Sequence, residues 1–466
     1  MENNSKTMAE NINNNETSLG FGISSKFIDE ILKSIRSSNF KYLEENILVL
    51  HQADIADIFE ILSQEDRKIL FACLQDKLPA ETLASLDEQV LKDIIENYKP
   101  SILGDLIGQL DTDDAAYILE NLDLAKRDDL MRQIPQDARD LIIQALEFPE
   151  MSAGRLMQRD YVAVPRYWNV GQVIDYLRGS VKVPDQFYSI FIVDPRHVPV
   201  GTIPLHKLMR SERKVVLSDI MTTEPVVVPV AMDQEDMAFL FKQYDLTSAP
   251  VVNSQNRLIG MVTVDDVVEV IQEEAEEDML KLAGVSGDTD IYMAAWQTAR
   301  SRFSWLFVNL FTAILASIAI GIFEGTIKQI VALAVLMPIV ASMGGNAGTQ
   351  TLTVAVRALA TRELNQSNAL RVFGKEILVG LINGIIFAVI VGLVAALWFG
   401  EHGLGIVIAL AMLFNLFVAG FFGAAIPLLL QRWKIDPALG ASILLTTVTD
   451  VVGFFVFLGL AHIMLT

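Results

Sequence analysis

The chain has 466 residues, 52% hydrophobic and 20% charged, with a formal net charge of −21. Of its 36 basic and 57 acidic residues, nine and six fall in 300–466, leaving 27 and 51 in the part before residue 300. An acidic part followed by an apolar one excludes disorder along most of the chain and a nucleic-acid binder, which needs a basic face; the single cysteine, Cys73, excludes an internal disulfide framework and a Cys-based zinc site.

No G-x-x-x-x-G-K-[ST], H-E-x-x-H or G-x-S-x-G pattern occurs, so the usual marks of an ATPase, a zinc hydrolase and a serine hydrolase are missing. No enzyme is expected. Residues 1–20 are rich in Asn, Ser and Glu and read as a disordered tail without the apolar core of a signal peptide. Residues 21–148 carry apolar positions at helical spacing, as in Ala53-Asp54-Ile55-Ala56-Asp57-Ile58-Phe59. Breaks at Ser63-Gln64-Glu65, Lys77-Leu78-Pro79 and Ile134-Pro135 cut this part into short helices. A stack of α-hairpins is expected.

Residues 149–270 change to strand and helix patterning, and a repeat begins at about 155. Val162-Ala163-Val164-Pro165 returns as Val226-Val227-Val228-Pro229, and Ser189 to Asp194 with Gly201 returns as Ser248 to Asn253 with Gly260. These residues resemble a tandem pair of CBS-type regulatory modules. The resemblance implies an adenine-nucleotide site in which an acid after the last strand holds the ribose. Asp266 stands there in the second copy, and Lys207 in the first.

The densest charge run follows. Asp265, Asp266, Glu269, Glu273, Glu274, Glu276, Glu277 and Asp278 put eight acids into fourteen residues without a base. On a helix, positions 266, 269, 273 and 277 share one face, where like charges three and four apart repel. A solvated acidic face would satisfy this pattern. Hard divalent cations, which take oxygen ligands, would also satisfy it by cancelling the repulsion. Because it leads from a regulatory module into a connecting helix expected over 271–300 and on to a membrane part, the run favours cation sensing, with Asp113, Asp233 and Asp245 as added acids.

Five apolar runs, roughly 303–323, 330–356, 377–399, 404–430 and 438–465, are each long enough to cross a bilayer as a helix. Arg300, Arg302, Arg357, Arg362, Arg371, Lys375, Arg432 and Lys434 flank one side of these runs and Lys328 the other. By the positive-inside rule the acidic part is cytoplasmic and the C-terminus outside, in a multi-pass protein of the plasma (inner) membrane. An odd number of spans argues against the inverted repeat of many secondary transporters. One ionisable residue falls deep in a span: Asp450, in Thr446-Thr447-Val448-Thr449-Asp450. It reads either as a protonated carboxyl hydrogen-bonded to a neighbouring helix or, among Thr446, Thr447 and Thr449, as a cation site. Pro338 and Gly344-Gly345-Asn346-Ala347-Gly348-Thr349-Gln350 in the second run read either as tight helix packing or as a polar pathway.

The order of hairpins, CBS pair, acidic helix and five spans resembles the MgtE magnesium-channel family over nearly the whole chain beyond its first twenty residues. The marks are Ser152-Ala153-Gly154-Arg155-Leu156-Met157, Thr263-Val264-Asp265-Asp266-Val267, Gly344 to Gly348, Arg357 to Arg362, Asp436-Pro437-Ala438 and Asp450. The resemblance implies a homodimer whose pore follows the two-fold axis between second and fifth spans, with Gly344, Gly345, Asn346, Gly348, Thr446, Thr447 and Thr449 along it. Asp450 would supply its ion site. It further implies that cytosolic Mg²⁺ closes the pore by binding at Asp113, Asp233, Glu235, Asp245, Asp266, Glu269, Glu274, Glu277 and Asp278. Met151, Tyr117, Ile443 and Ser442 depart from the family pattern, which carries Asp, Asp, Pro and Asn there. The expected protein is thus multidomain: an all-α hairpin superhelix, α/β tandem CBS modules, a connecting helix and an all-α membrane domain over 301–466. Its expected ligands are Mg²⁺, with Co²⁺ or another divalent cation as competitor, the lipid bilayer, and adenine nucleotide at the CBS pair. A proton-coupled or exchange-type transporter, and a membrane-anchored nucleotide sensor that transports nothing, are the competing readings.

Overall fold

The computed structural model describes residues 23–75, 77–179, 183–184, 187–285, 295–364 and 367–466. The expected disordered tail and the middle of the expected connecting segment, 286–294, lie outside them. The chain forms two compact units, one ending at Ile271 and one beginning at Gln272.

The first unit opens with short helices from Ser25–Arg36 to Gln136–Leu146. Capping sets their starts. The Ser63 hydroxyl accepts the Asp66 backbone N–H at 3.3 Å and donates to its carboxylate at 2.8 Å, and Asp87 accepts the Gln89 N–H at 2.9 Å. Apolar residues three and four apart, such as Val90, Leu91, Ile94 and Ile95 of Glu88–Asn97, then turn inward to one shared core with Ile31, Leu43, Phe59, Phe71 and Leu74. The stack of helical hairpins is therefore as expected.

The repeat folds as two small sheets. Strands β1 (Ala163–Pro165), β2 (Ser189–Val193), β3 (Pro199–Pro204) and β4 (Thr222–Thr223) lie in that order. Strands β5 (Val228–Pro229), β6 (Ser248–Val252) and β7 (Leu258–Thr263) form the second sheet. Both copies begin with a parallel pair and continue antiparallel. The registers match as well: Ser189 faces Pro204 and Ser248 faces Thr263, each pair followed by an irregularity near the strand end. The loops repeat too, since Asp194 accepts the N–H groups of Arg196 and Val198 while Asn253 accepts those of Gln255 and Arg257. Arg155 ties this part to the helical stack, its guanidinium 3.1 Å from Glu120 and 3.4 Å from the Ala145 carbonyl. A Cβ on the preceding Gly154 would stand 2.6 Å from Val230 and 2.7 Å from Phe148, so only glycine admits this approach.

Among the described residues, five helices of the second unit have the length and apolarity to cross a membrane: Ala295–Ile322, Ala332–Ala360, Ala369–Phe399, His402–Arg432 and Ala441–Leu465. The fourth packs against the second, third and fifth, and the first packs on the fifth. The third and fourth meet along a stripe of small residues, Gly380, Gly384, Ala388 and Gly392, all buried. The missing side chains of the three glycines let backbones touch: a Cβ at Gly380 would lie 2.8 Å from the Leu416 carbonyl, and one at Gly392 2.9 Å from that of Gly405. The third helix begins at Ala369 rather than near 377, because Arg371, Lys375 and Glu376 occupy its first turns. A short helix, Glu324–Gln329, joins the first two spans, with buried Thr326 hydrogen-bonded to His462 at 3.0 Å.

Candidate cation sites

The first candidate site lies where the start of helix Thr112–Glu120 comes close to the start of helix Val264–Leu282. Thr263 ends β7, and Asp266 reaches back to it: the Asp266 carboxylate accepts the Thr263 hydroxyl at 2.7 Å, its N–H at 3.4 Å and Gln158 Nε2 at 3.2 Å. This cap, in which Asp266 accepts both Thr263 donors, is the local reason for Thr-x-x-Asp at the helix start. Asp113 sits in the first turn of Thr112–Glu120, only 8% exposed, and its Oδ1 has no hydrogen-bond partner among the described residues. Burial, and next the charge of Asp266, push the Asp113 carboxyl well above the ordinary carboxylate range. Burial likewise raises Asp266 to about 7 against the pull of Thr263, with Asp265 adding to the rise. Asp114 rises to about 7 through burial and then Asp111. Asp111 and Glu269 are raised in the same sense, and none of these acids has a basic ion-pair partner among the described residues.

The arrangement stores repulsion that a divalent cation would relieve. Among the described residues no three carboxylates or imidazoles converge tightly enough to ligate one ion directly. Mg²⁺ dehydrates reluctantly and keeps several waters, so an ion here would be held largely through its hydration shell. A pH dependence follows. Below about pH 4 both folded and unfolded chains hold these protons, and there is no penalty. Between about 4 and 7 the unfolded carboxylates ionise while Asp114 and Asp266 remain protonated in the fold, so without metal stability falls as pH rises. Metal binding must displace those protons. If both must leave, the Mg²⁺ midpoint for thermal stabilisation should be roughly tenfold to a hundredfold higher at pH 6 than at pH 8. A midpoint unchanged across that range would detach these two acids from the ion.

The other expected sensor residues fall elsewhere. Asp233 caps helix Gln234–Tyr244 by accepting the Glu235 N–H at 3.0 Å, and Asp245 ends the same helix with a left-handed φ of 50°. Twelve residues of helix separate the two by ~18 Å, so one ion cannot bridge them within a chain. Lys207 lies on the short helix Leu205–Met209.

Glu277 and Asp278 stand in the second unit beside a basic group that sequence reading overlooked, with Glu274 near Asp278. Lys281 Nζ lies 2.7 Å from Glu277 and 2.7 Å from Asp436. Asp436 also accepts the Ala438 N–H at 2.8 Å, which explains Asp436-Pro437-Ala438 as a turn. Burial pushes Asp278 up to about 6, helped by Asp436 and then by Glu274 and Glu277, with Lys281 opposing. Burial alone would lower Lys281, but its hydrogen bonds to Asp436 and Glu277 outweigh that and raise it.

Within the membrane helices, Asp450 is half-buried and has no hydrogen bond or ion pair among the described residues. Thr446, Thr447 and Thr449 donate to the carbonyls of Ser442, Ile443 and Leu445 on their own helix, so their lone pairs, not their protons, remain for a ligand. Thr449 is fully buried whereas Thr446 is exposed. On the second span, Gly344 faces Asn415 and Gly348 faces Leu445. Gly345 has nothing within 4 Å of its Cβ position, and Asn346 is exposed, its amide 3.4 Å from Ser342. Asn415, from the fourth span, was not anticipated. Fully buried, it donates to the Val340 carbonyl at 2.8 Å and also fills the space opposite Gly453. The glycines of the second span thus do two jobs, packing on one face and exposure on the other.

Comparison with known proteins agrees with this layout. A family model described as a divalent cation transporter matches residues 337–460, the MgtE intracellular N domain matches 50–151, and a CBS domain matches 217–273, the second copy of the repeat. The magnesium transporter MgtE of Thermus thermophilus is 32% identical over 448 residues, covering 94% of this chain and 99% of its own. That of Bacillus subtilis is 28% identical over 436 residues, covering 94% and 97%. Among solved structures, the cytosolic domain of the Mg²⁺ channel MgtE in complex with ATP is 28% identical and covers 52% of this chain and 99% of its own, at a TM-score of 0.49. With five spanning helices, a helical N-terminal part and a CBS repeat in this order, the chain belongs to the MgtE family of divalent-cation transporters.

Proposed function

We propose that the chain is a homodimeric Mg²⁺ channel that admits the ion down its electrochemical gradient and closes when cytosolic Mg²⁺ occupies the acidic clusters. The observation that carries this reading is Asp450, a carboxylate without a partner among the described residues, in the fifth span of a transporter-family membrane domain. An unpaired carboxylate at membrane depth costs ~2.5–3.5 kcal/mol or more unless it meets water or a cation. Two Asp450 carboxylates facing one axis would bind a hydrated Mg²⁺ through its water, without stripping it. Gly345, Asn346 and Thr446 would face that axis, while Gly344, Gly348, Thr447 and Thr449 support it. The membrane potential supplies ~2.3 kcal/mol per charge per 100 mV, twice that for a divalent ion. The acidic clusters at Asp113, Asp266 and Glu269 and at Glu274, Glu277 and Asp278 are the sensor, with Asp233, Glu235 and Asp245 acting as dimer-dependent ligands. The N-terminal domains face the cytoplasm and the C-terminus the outside, in agreement with the positive-inside distribution. Adenine nucleotide is the candidate small-molecule ligand of the CBS pair.

Uptake into liposomes carrying the purified protein tests the reading. Mg²⁺ entry should follow an imposed voltage, with no accompanying proton movement, and should be competed by Co²⁺. Entry that requires a proton gradient would replace the channel by a coupled transporter, and no entry would leave a sensor.

A further inference from the structure

The membrane domain holds a second buried acid. Glu376 lies two turns into the third span, only 8% exposed, at the end of the same stripe as Gly380, Gly384, Ala388 and Gly392. It is buried although it stands only two turns from the start of its helix. Its backbone is pressed against the fourth span: a Cβ at Gly420 would come within 2.9 Å of the Glu376 carbonyl. The side chain instead borders a cavity of about 130 Å³ whose polar lining is Gln350, Thr351 and Asn383. A water takes ~30 Å³ in the liquid, so several fit. Glu376, Gln350, Thr351 and Asn383 make no side-chain hydrogen bond or ion pair among the described residues, and the adjacent Lys375 is exposed.

We propose that this cavity is a second intramembrane site for a divalent cation, partly hydrated, with the Glu376 carboxylate as its one charged ligand. The lining offers only hard oxygen donors: a carboxylate, a hydroxyl and two amide carbonyls. One or two carboxylates with retained waters is how proteins usually hold Mg²⁺. The site is distinct from Asp450, because its walls come from the second, third and fourth spans and none from the fifth. It does not rest on the pore reading of Asp450. An ion there would bridge the second span to the third–fourth pair, which pack closely on each other through glycine but leave this gap beside Gln350 and Thr351.

Mn²⁺, a hard divalent ion with anomalous scattering, is the probe. Crystals of the full-length protein grown with Mn²⁺ should show an anomalous peak in the cavity beside Glu376. Glu376→Gln should lose that peak and keep the others, and Glu376→Asp, with its shorter arm, should show it weakened. Thr351→Val, which leaves the carboxylate in place, should reduce its height if Glu376→Gln does not fold. An empty cavity in wild type, at a concentration that fills the cytosolic sites, would make Glu376 a protonated packing residue. So would a peak of undiminished height in Glu376→Gln.

Discussion

Asp450→Asn should reduce voltage-driven Mg²⁺ uptake by at least about tenfold while leaving the protein folded, membrane-inserted and dimeric. The substitution preserves shape and removes charge. A hydrated Mg²⁺ about 5 Å from one carboxylate gains ~1.7 kcal/mol even with the dielectric of bulk water, and each 1.4 kcal/mol is a factor of ten in occupancy. Two such carboxylates on a shared axis would multiply the effect. Asp450→Glu keeps the charge on a longer arm and should retain part of the flux, with altered discrimination between Mg²⁺ and Co²⁺. A structural, protonated carboxyl predicts the reverse order, with Asn tolerated and Glu disruptive. Because Asp450 has no partner among the described residues, Asn would strand no donor or acceptor that now relies on it. Uptake measured at matched amounts of inserted dimer separates the two, and near-normal flux through Asp450→Asn would remove the ion pathway from this residue.

Neutralising Asp266, Glu274 and Glu277 together to Ala should abolish most of the response to cytosolic Mg²⁺. In the proposed sensor the ion would relieve repulsion around Asp266 and Asp278, which burial already disfavours in ionised form, so saturating Mg²⁺ should raise thermal stability. Mass action gives ~2.7 kcal/mol for one site at a hundred times its dissociation constant. The triple variant should start from higher stability without Mg²⁺, since Asp113 and Asp278 each lose an acidic neighbour. It should then gain little on adding the ion. Lys281 keeps Asp436 when Glu277 is lost, so the turn at Asp436 survives the change. Inhibition of uptake by internal Mg²⁺ should shift upward by about tenfold or more. Equal stabilisation of wild type and variant would return the acidic run to the status of a solvated face.

Periodicity carried the layout of the chain further than the detail of its sites. The five apolar runs lie within or close to the five long helices because an unbroken stretch without charge has few other destinations. The CBS repeat was legible as recurring segments, and the fold extends the match to register, since Ser189 and Ser248 start strands that pair identically. The helix after β7, Val264–Leu282, by contrast, revealed nothing about Lys281, whose importance depends on Asp436 approaching from 155 residues further along the chain. Asp111 and Asp114 escaped notice for the same reason. They are ordinary helix-start acids in sequence, and are raised by burial in the fold and then by acids brought in from elsewhere, Asp160, Glu81 and Asp265 beside Asp111 and Glu269, Glu81 and Asp265 beside Asp114. Glu376 was hidden by the placement of the third span, which truly begins at Ala369. The second-span glycines fit both helix packing and a polar pathway in sequence; Gly344 and Gly348 stand against Asn415 and Leu445, and no local pattern identifies the polar side chain that a glycine accommodates.

On the proposed function, Mg²⁺ passes through this protein passively and shuts its own path from the cytosolic side. Current recorded across an excised membrane patch containing the full-length protein, with Mg²⁺ varied only on the cytosolic face, tests this most directly. A Mg²⁺-carried current should open as cytosolic Mg²⁺ is removed, reverse at a potential set by the Mg²⁺ gradient alone, and close again when the ion is restored. A current indifferent to cytosolic Mg²⁺, or a reversal potential that moves with pH, would contradict it.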